Sequence, residues 1–166
     1  MLQMLDCMAG VSFIQTKRYV DGYNFLKKFL ALDNKLVEES FAAHTQIISL
    51  YLNHNEGKLV TDLDYAQSLY GAMYWYNQFT PAQKKVITDA NTPPQAVMLL
   101  GDLNMLRQFG YGKDQPIFLN ANRLGFLYNK SIEKEKIKEI SCKCSLIVAE
   151  YDKNSKEYQN LKKICP

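Results

Sequence analysis

Hydrophobic positions recur along this chain at steps of three and four, not two, through most of its length. Between Thr16 and Leu32, Tyr19, Tyr23, Leu26 and Phe29 or Leu30 fall on one side of a helix, while Lys17, Arg18, Lys27 and Lys28 take much of the other. Asp33-Asn34 supplies a stop and a fresh cap. Leu36, Val37, Phe41, His44, Ile47, Ile48 and Tyr51 then carry the same period as far as the His54-Asn55-Glu56-Gly57 turn. Thr61 precedes Asp62-Leu63-Asp64, a cap followed by acids that suit the positive end of a helix dipole, and the spacing predicts a third helix to about Phe79. One stripe of that helix carries Tyr65, Leu69, Ala72, Met73 and Tyr76, but Tyr74 and Trp75 lie off it. Its apolar cover therefore runs nearly all round.

Thr80-Pro81 is a cap followed by proline at the first helical position, where its missing N–H is harmless, and it opens a short helix to about Asp89. Asn91-Thr92-Pro93-Pro94 repeats the device, with Val97, Leu103, Leu106 and Phe109 on one face, Gly101 inside, and a close at Gly110-Tyr111-Gly112. From Lys113 to Asn120 the pattern breaks around Pro116, which predicts a loop before a short helix over Ala121 to Tyr128. Ser131 reads as the cap of a long helix with Ile137, Ile140, Cys144, Ile147 or Val148 and Tyr151 on one face. The alternation Ile140, Cys142, Cys144, Leu146 would also suit a strand, but no second strand of that quality exists to pair with it. Asn154 or Ser155 starts the last helix, with Tyr158, Leu161 and Cys165 aligned. The expectation is an all-α fold of about seven to eight helices, a compact bundle or irregular superhelix with little or no sheet, formed as a single helical domain over residues 1–166.

Composition narrows the classes. With 47% hydrophobic and 22% charged residues the chain is far from the profile of disordered sequences, and 166 residues can bury a proper core. No apolar run approaches the ~20 residues of a membrane span, and Met1 to Phe13 lacks the basic start and cleavage site of a signal peptide. The net charge of +3 sits in residues 130–166, with 9 Lys/Arg against 6 Asp/Glu. There the signs alternate from Glu133 to Glu139, the pattern of a solvated helix face, so no nucleic-acid partner is expected.

The chemistry-bearing residues are few. Cys7, Cys142, Cys144 and Cys165 allow a disulfide from Cys165 to Cys144 or Cys142 in an oxidising compartment, or free buried thiols in a reducing one. Their spacing fits no zinc site, and Gly57-Lys58 lacks the glycine and hydroxyl of a phosphate loop, so neither metal nor cofactor is expected. His44 lies on an apolar face and His54 in a turn, without a nucleophile motif beside either. The compartment stays open between cytoplasmic and extracytoplasmic.

The run Trp75-Tyr76-Asn77-Gln78-Phe79-Thr80-Pro81, with Lys85-Val86-Ile87-Thr88 after it, resembles a segment near the C-terminal helices of phage-type lysozymes. It covers about a tenth of the chain. The catalytic glutamate of that family, and the aspartate and threonine on the hairpin after it, have no counterparts here, so the match reads as shared helix-break-helix grammar and not as kinship.

Two functions remain. The first is a small helical protein that binds another protein, of the kind that serves as a bacterial accessory, secretion-associated or immunity factor. Its contact residues would be Trp75, Tyr74, Tyr70 and Tyr111, with the Lys113 to Asn120 loop beside them. The second is an all-α hydrolase whose carboxylates, drawn from Glu38, Glu39, Asp62 and Asp64, meet only in the fold; no catalytic residue can be named from the sequence.

Overall fold

The computed structural model describes residues 2–33, 36–89, 91–93, 103–112 and 115–166. Among them are nine α-helices and no strand: α1 (Leu2–Gln15), α2 (Tyr19–Leu30), α3 (Val37–Asn53), α4 (Asp62–Asn77), α5 (Pro81–Thr88), α6 (Leu103–Gln108), α7 (Pro116–Lys130), α8 (Lys134–Tyr151) and α9 (Lys156–Ile164). The fold is an all-helical bundle, one helix richer than the eight segments that periodicity picks out. The additional one is α1, whose apolar residues face every direction and so leave no polar stripe to mark a period.

Local chemistry places three of the helix starts. Thr61 caps α4 by accepting from the Asp64 amide, and Thr80 and Gln83 form a reciprocal capping box on α5 with Pro81 at its first turn. Ser155 caps α9 by accepting from the Tyr158 amide. Three expectations differ. Pro116 does not break a helix but opens one: it occupies the first turn of α7, and residues 116–120, expected as loop, are its first five positions. Ser131 follows the last residue of α7 and accepts from the Glu133 amide, so α8 begins three residues later, after Glu133. Residues 140–149 are helical, which removes the strand alternative. The Asn34 cap, the start of the helix after Thr92 and the glycine at 101 lie outside the described residues.

Helices α3 and α4 form the centre. Tyr51 meets Tyr65, His44 meets Ser68 and Phe41 meets Tyr76, a pairing that runs in opposite chain directions and makes the two helices antiparallel. Their connecting turn is tied by Asn55, whose amide both donates to the Val60 carbonyl and accepts from its N–H. On its other sides α4 packs against α7 and α8. The buried side chains Leu69, Met73 and Tyr76 of α4 share this core with Leu124 and Leu127 of α7 and with Ile140, Cys144 and Val148 of α8. Asn77 and Tyr151 lock the far end: the tyrosine hydroxyl donates to Asn77 Oδ1 at 2.8 Å while Lys84 Nζ donates to that hydroxyl at 3.1 Å.

Helices α1 and α2 cross closely at Gly10 and Gly22. A Cβ on Gly22 would stand 2.5 Å from Ile14 Cγ1 and 2.9 Å from the Gly10 carbonyl oxygen, and the latter is backbone that cannot rotate away. We therefore expect Gly22→Ala to force the pair apart at a cost of roughly 1–3 kcal/mol in urea denaturation. Gly57→Ala, with open space around the position, should change stability by less than about 0.5 kcal/mol. A neutral Gly22→Ala would show that the crossing is loose.

Candidate functional site

The aromatic residues of α4 divide by depth. Tyr76 is in the core, Tyr70 and Trp75 are half-covered and pack against it, and Tyr74 is 41% exposed. Tyr74 meets Trp75 edge-on at 5.1 Å and lies 6.2 Å from Tyr70, so the exposed member of this ridge is the tyrosine, not the tryptophan expected as anchor. Tyr111 does not reach the surface. Gly110, at φ 90°, turns the chain after α6, and Tyr111 enters the core at 1% exposure, its hydroxyl donating to Asn120 Oδ1 at 3.0 Å. Asn120, expected in a partner-facing loop, is itself buried on α7. The cysteines settle into one disulfide, Cys142–Cys165, and two free buried thiols, Cys7 and Cys144.

Three of the four acids considered for catalysis have their carboxylates engaged by other side chains. Glu38 accepts from Gln83 Nε2 at 2.7 Å, Asp62 accepts from the Tyr51 hydroxyl at 2.8 Å, and Asp64 accepts from both the Tyr23 hydroxyl and Lys27 Nζ. Glu39 is buried, and its backbone carbonyl accepts from the Cys7 thiol. Asp64 lines a cleft of about 290 Å³ with Tyr23, Lys27, His44 and Ser68 and is its one acid, so this cleft assembles no carboxylate pair. His44 Nδ1 lies 3.2 Å from Ser68 Oγ, with the ring seated where Gly71 has no side chain. That pair has the distance of a nucleophile and base, but Ser68 sits inside α4, where its amide belongs to the helix ladder and cannot stabilise an oxyanion. His54 stacks on Tyr19 at 4.3 Å.

Exposed apolar side chains are spread over the surface, Leu146 on α8 and Leu5 and Met8 on α1 among them, and three lie near one another around the end of α7. Phe126 is 69% exposed on the outer side of α7, with Leu52 at the end of α3 at 44% and Ile132 just beyond α7 at 97%. The inner stripe of α7 is Ile117, Asn120, Ala121, Leu124 and Leu127, and Phe126, two positions from Leu124, points the other way. Phe126 stands as a ridge between two concavities. One, of about 400 Å³, is walled by Tyr51, Leu52, Tyr65, Arg123 and Lys130. The other, of about 440 Å³, lies between Asn122, Gly125 and Asn129 of α7 and Asn160, Lys163 and Ile164 of α9. Tyr51 and Tyr65 stack at 3.8 Å with their planes 9° apart. Lys130 Nζ lies 5.7 Å from the Tyr51 ring and 5.6 Å from that of Phe126, a cation held between two aromatic faces.

No family model, curated protein or solved structure matches this chain. The groove's signal is present in the sequence: with Ile117, Ala121, Leu124 and Leu127 on one stripe, Phe126 falls off it.

Several phenols and thiols here titrate late. Burial pushes the Tyr65 hydroxyl from its ordinary 10.0 to about 12, against a smaller downward pull from Arg123, and burial followed by Tyr151 does the same to Tyr76. Cys7 rises from 9.0 to about 12 by burial and then by Glu39, and Tyr111 is also raised by burial. Each folded value lies above the unfolded one, so the stability these groups contribute is complete below about pH 9 and is lost as pH climbs toward about 12. Urea midpoints should hold level to about pH 9 and then fall, with buried phenolate absorbance emerging together with unfolding. Phenolate titration of all eleven tyrosines near pH 10 in the folded protein would contradict this.

Proposed function

We propose that this chain is a helical protein-binding protein whose docking surface is the groove on either side of Phe126. The observation that supports it is a large aromatic ring 69% exposed between two concavities, where an isolated chain gains nothing from leaving it uncovered. Charge selects the occupant. Arg123, Lys130 and Lys163 line the two concavities and, among the described residues, no carboxylate does, while asparagines at 129 and 160 offer both donors and acceptors. The matching partner is a protein segment with apolar side chains flanked by acidic ones, docking its apolar positions on Phe126 and Leu52 and its carboxylates toward the lysines. The hydrolase reading has less support, since Glu38, Asp62 and Asp64 are engaged by other side chains.

Selection from a displayed library of random peptides tests this without a known partner. Enriched peptides should pair Leu, Ile or Phe with Asp or Glu. Phe126→Ala should weaken the best of them by about ten- to a hundred-fold, the loss of roughly 1.5–3 kcal/mol of aromatic burial, while leaving the urea midpoint unchanged. Lys130→Glu should weaken it further at low salt than at high salt. Peptides indifferent to Phe126 but lost with Tyr74→Ala would move the site to the α4 ridge and sink the proposal.

A further inference from the structure

One wall of this groove hangs from a short helix. Helix α9 has nine residues and buries one side chain completely, Leu161, with Tyr158 and Ile164 packed at the edge of the core. Asn122 Nδ2 of α7 donates to its Glu157 at 3.2 Å. The Ser155 cap, Glu157 in the first turn and Lys162 and Lys163 in the last make it a sound helix locally, but helices this short do not persist in water without docking. To that packing the chain adds a covalent fastening. From Cys142 to the end of α8 is nine steps, about 13.5 Å, which is also the length of α9, so the disulfide joins the open end of a hairpin whose other end is the turn at residues 152–155.

We propose that Cys142–Cys165 is a redox latch on the groove: reduction by an external dithiol releases α9 and removes the wall that Asn160, Lys163 and Ile164 provide. This rests on the docking proposal above and adds its regulation. A thiolate of the dithiol attacks one sulfur, the S–S bond breaks, and the other cysteine leaves as a thiolate and takes up a proton. The second thiol of the reductant then breaks the mixed disulfide. Two electrons and two protons pass to Cys142 and Cys165, and the reductant ends as its own disulfide. Both cysteines are partly exposed, which gives the reagent access. Cys144 does not take over the bond. Two residues along α8 it lies about 200° round the helix, and it is fully buried.

Amide hydrogen exchange on the full chain, oxidised and after dithiothreitol, reads the latch directly. Thiol titration in denaturant should rise from two groups to four as a check on complete reduction. Exchange across residues 156–164 should speed up by about ten-fold or more while α3 and α4 stay protected, and a groove-selected peptide should bind about ten-fold more weakly. Cys142→Ser with Cys165→Ser should show both changes without reductant. Four thiols with α9 still protected overturns the latch. A released α9 with unchanged peptide affinity overturns its control of the groove. If the oxidised protein selects no peptide, the docking proposal fails on its own, and exchange still decides whether α9 is latched.

Discussion

Helix α4 presents apolar surface in almost every direction, and a helix of that kind is stable only where neighbours cover most of it. The remaining helices are arranged by that requirement. Helix α3 takes one side through the stacked Tyr51 and Tyr65 rings and the seat that Gly71 leaves for His44, and α7 and α8 take two more. Covering α4 fixes α7 along one line, and the side of α7 turned away from it is where Phe126 comes to the surface. The candidate docking site is thus a by-product of how the centre is packed: α7's inner stripe is committed, and its outer ring is free to meet something else.

Much of the fold could be read from the chain because its helices carry local start signals. Thr61 and Thr80 cap the helices they are expected to cap, and Ser155, one of two expected starts, caps α9, since a hydroxyl that satisfies exposed amides needs no tertiary help. The failures have equally physical origins. Helix α1 escaped notice because periodicity measures contrast between faces, and a helix apolar all round has none. Pro116 was ambiguous by nature: the same ring that breaks a helix interior fits its first turn, and only the side chains that follow decide which applies. Ser131 has the residue type of a cap and stands at a helix boundary, but its hydroxyl serves the turn between α7 and α8 and not the first turn of α8.

Surface chemistry was less legible than the fold, because exposure depends on which neighbours arrive. Tyr111 looks like a turn tyrosine in sequence and becomes core because Gly110 redirects the backbone and Asn120 waits to accept its hydroxyl. Trp75 packs against the core while Tyr74, one position back, remains outside, a difference of 100° on the helix that no composition count resolves. Sequence leaves open free thiols or a bond from Cys165 to Cys142 or Cys144, and helix phase separates the two pairings: Cys142 and Cys144 face different directions on α8.

The position of Trp75 also has a spectroscopic consequence. It is the one tryptophan of the chain, set in the central helix against Tyr74, and neither concavity beside Phe126 includes it. Its emission therefore reports the packing around α4, and it carries no direct signal from the α9 wall. Tryptophan fluorescence, excited where tyrosine does not absorb, would follow global unfolding of this protein and not events at the groove, which call for a reporter placed on α7 or α9.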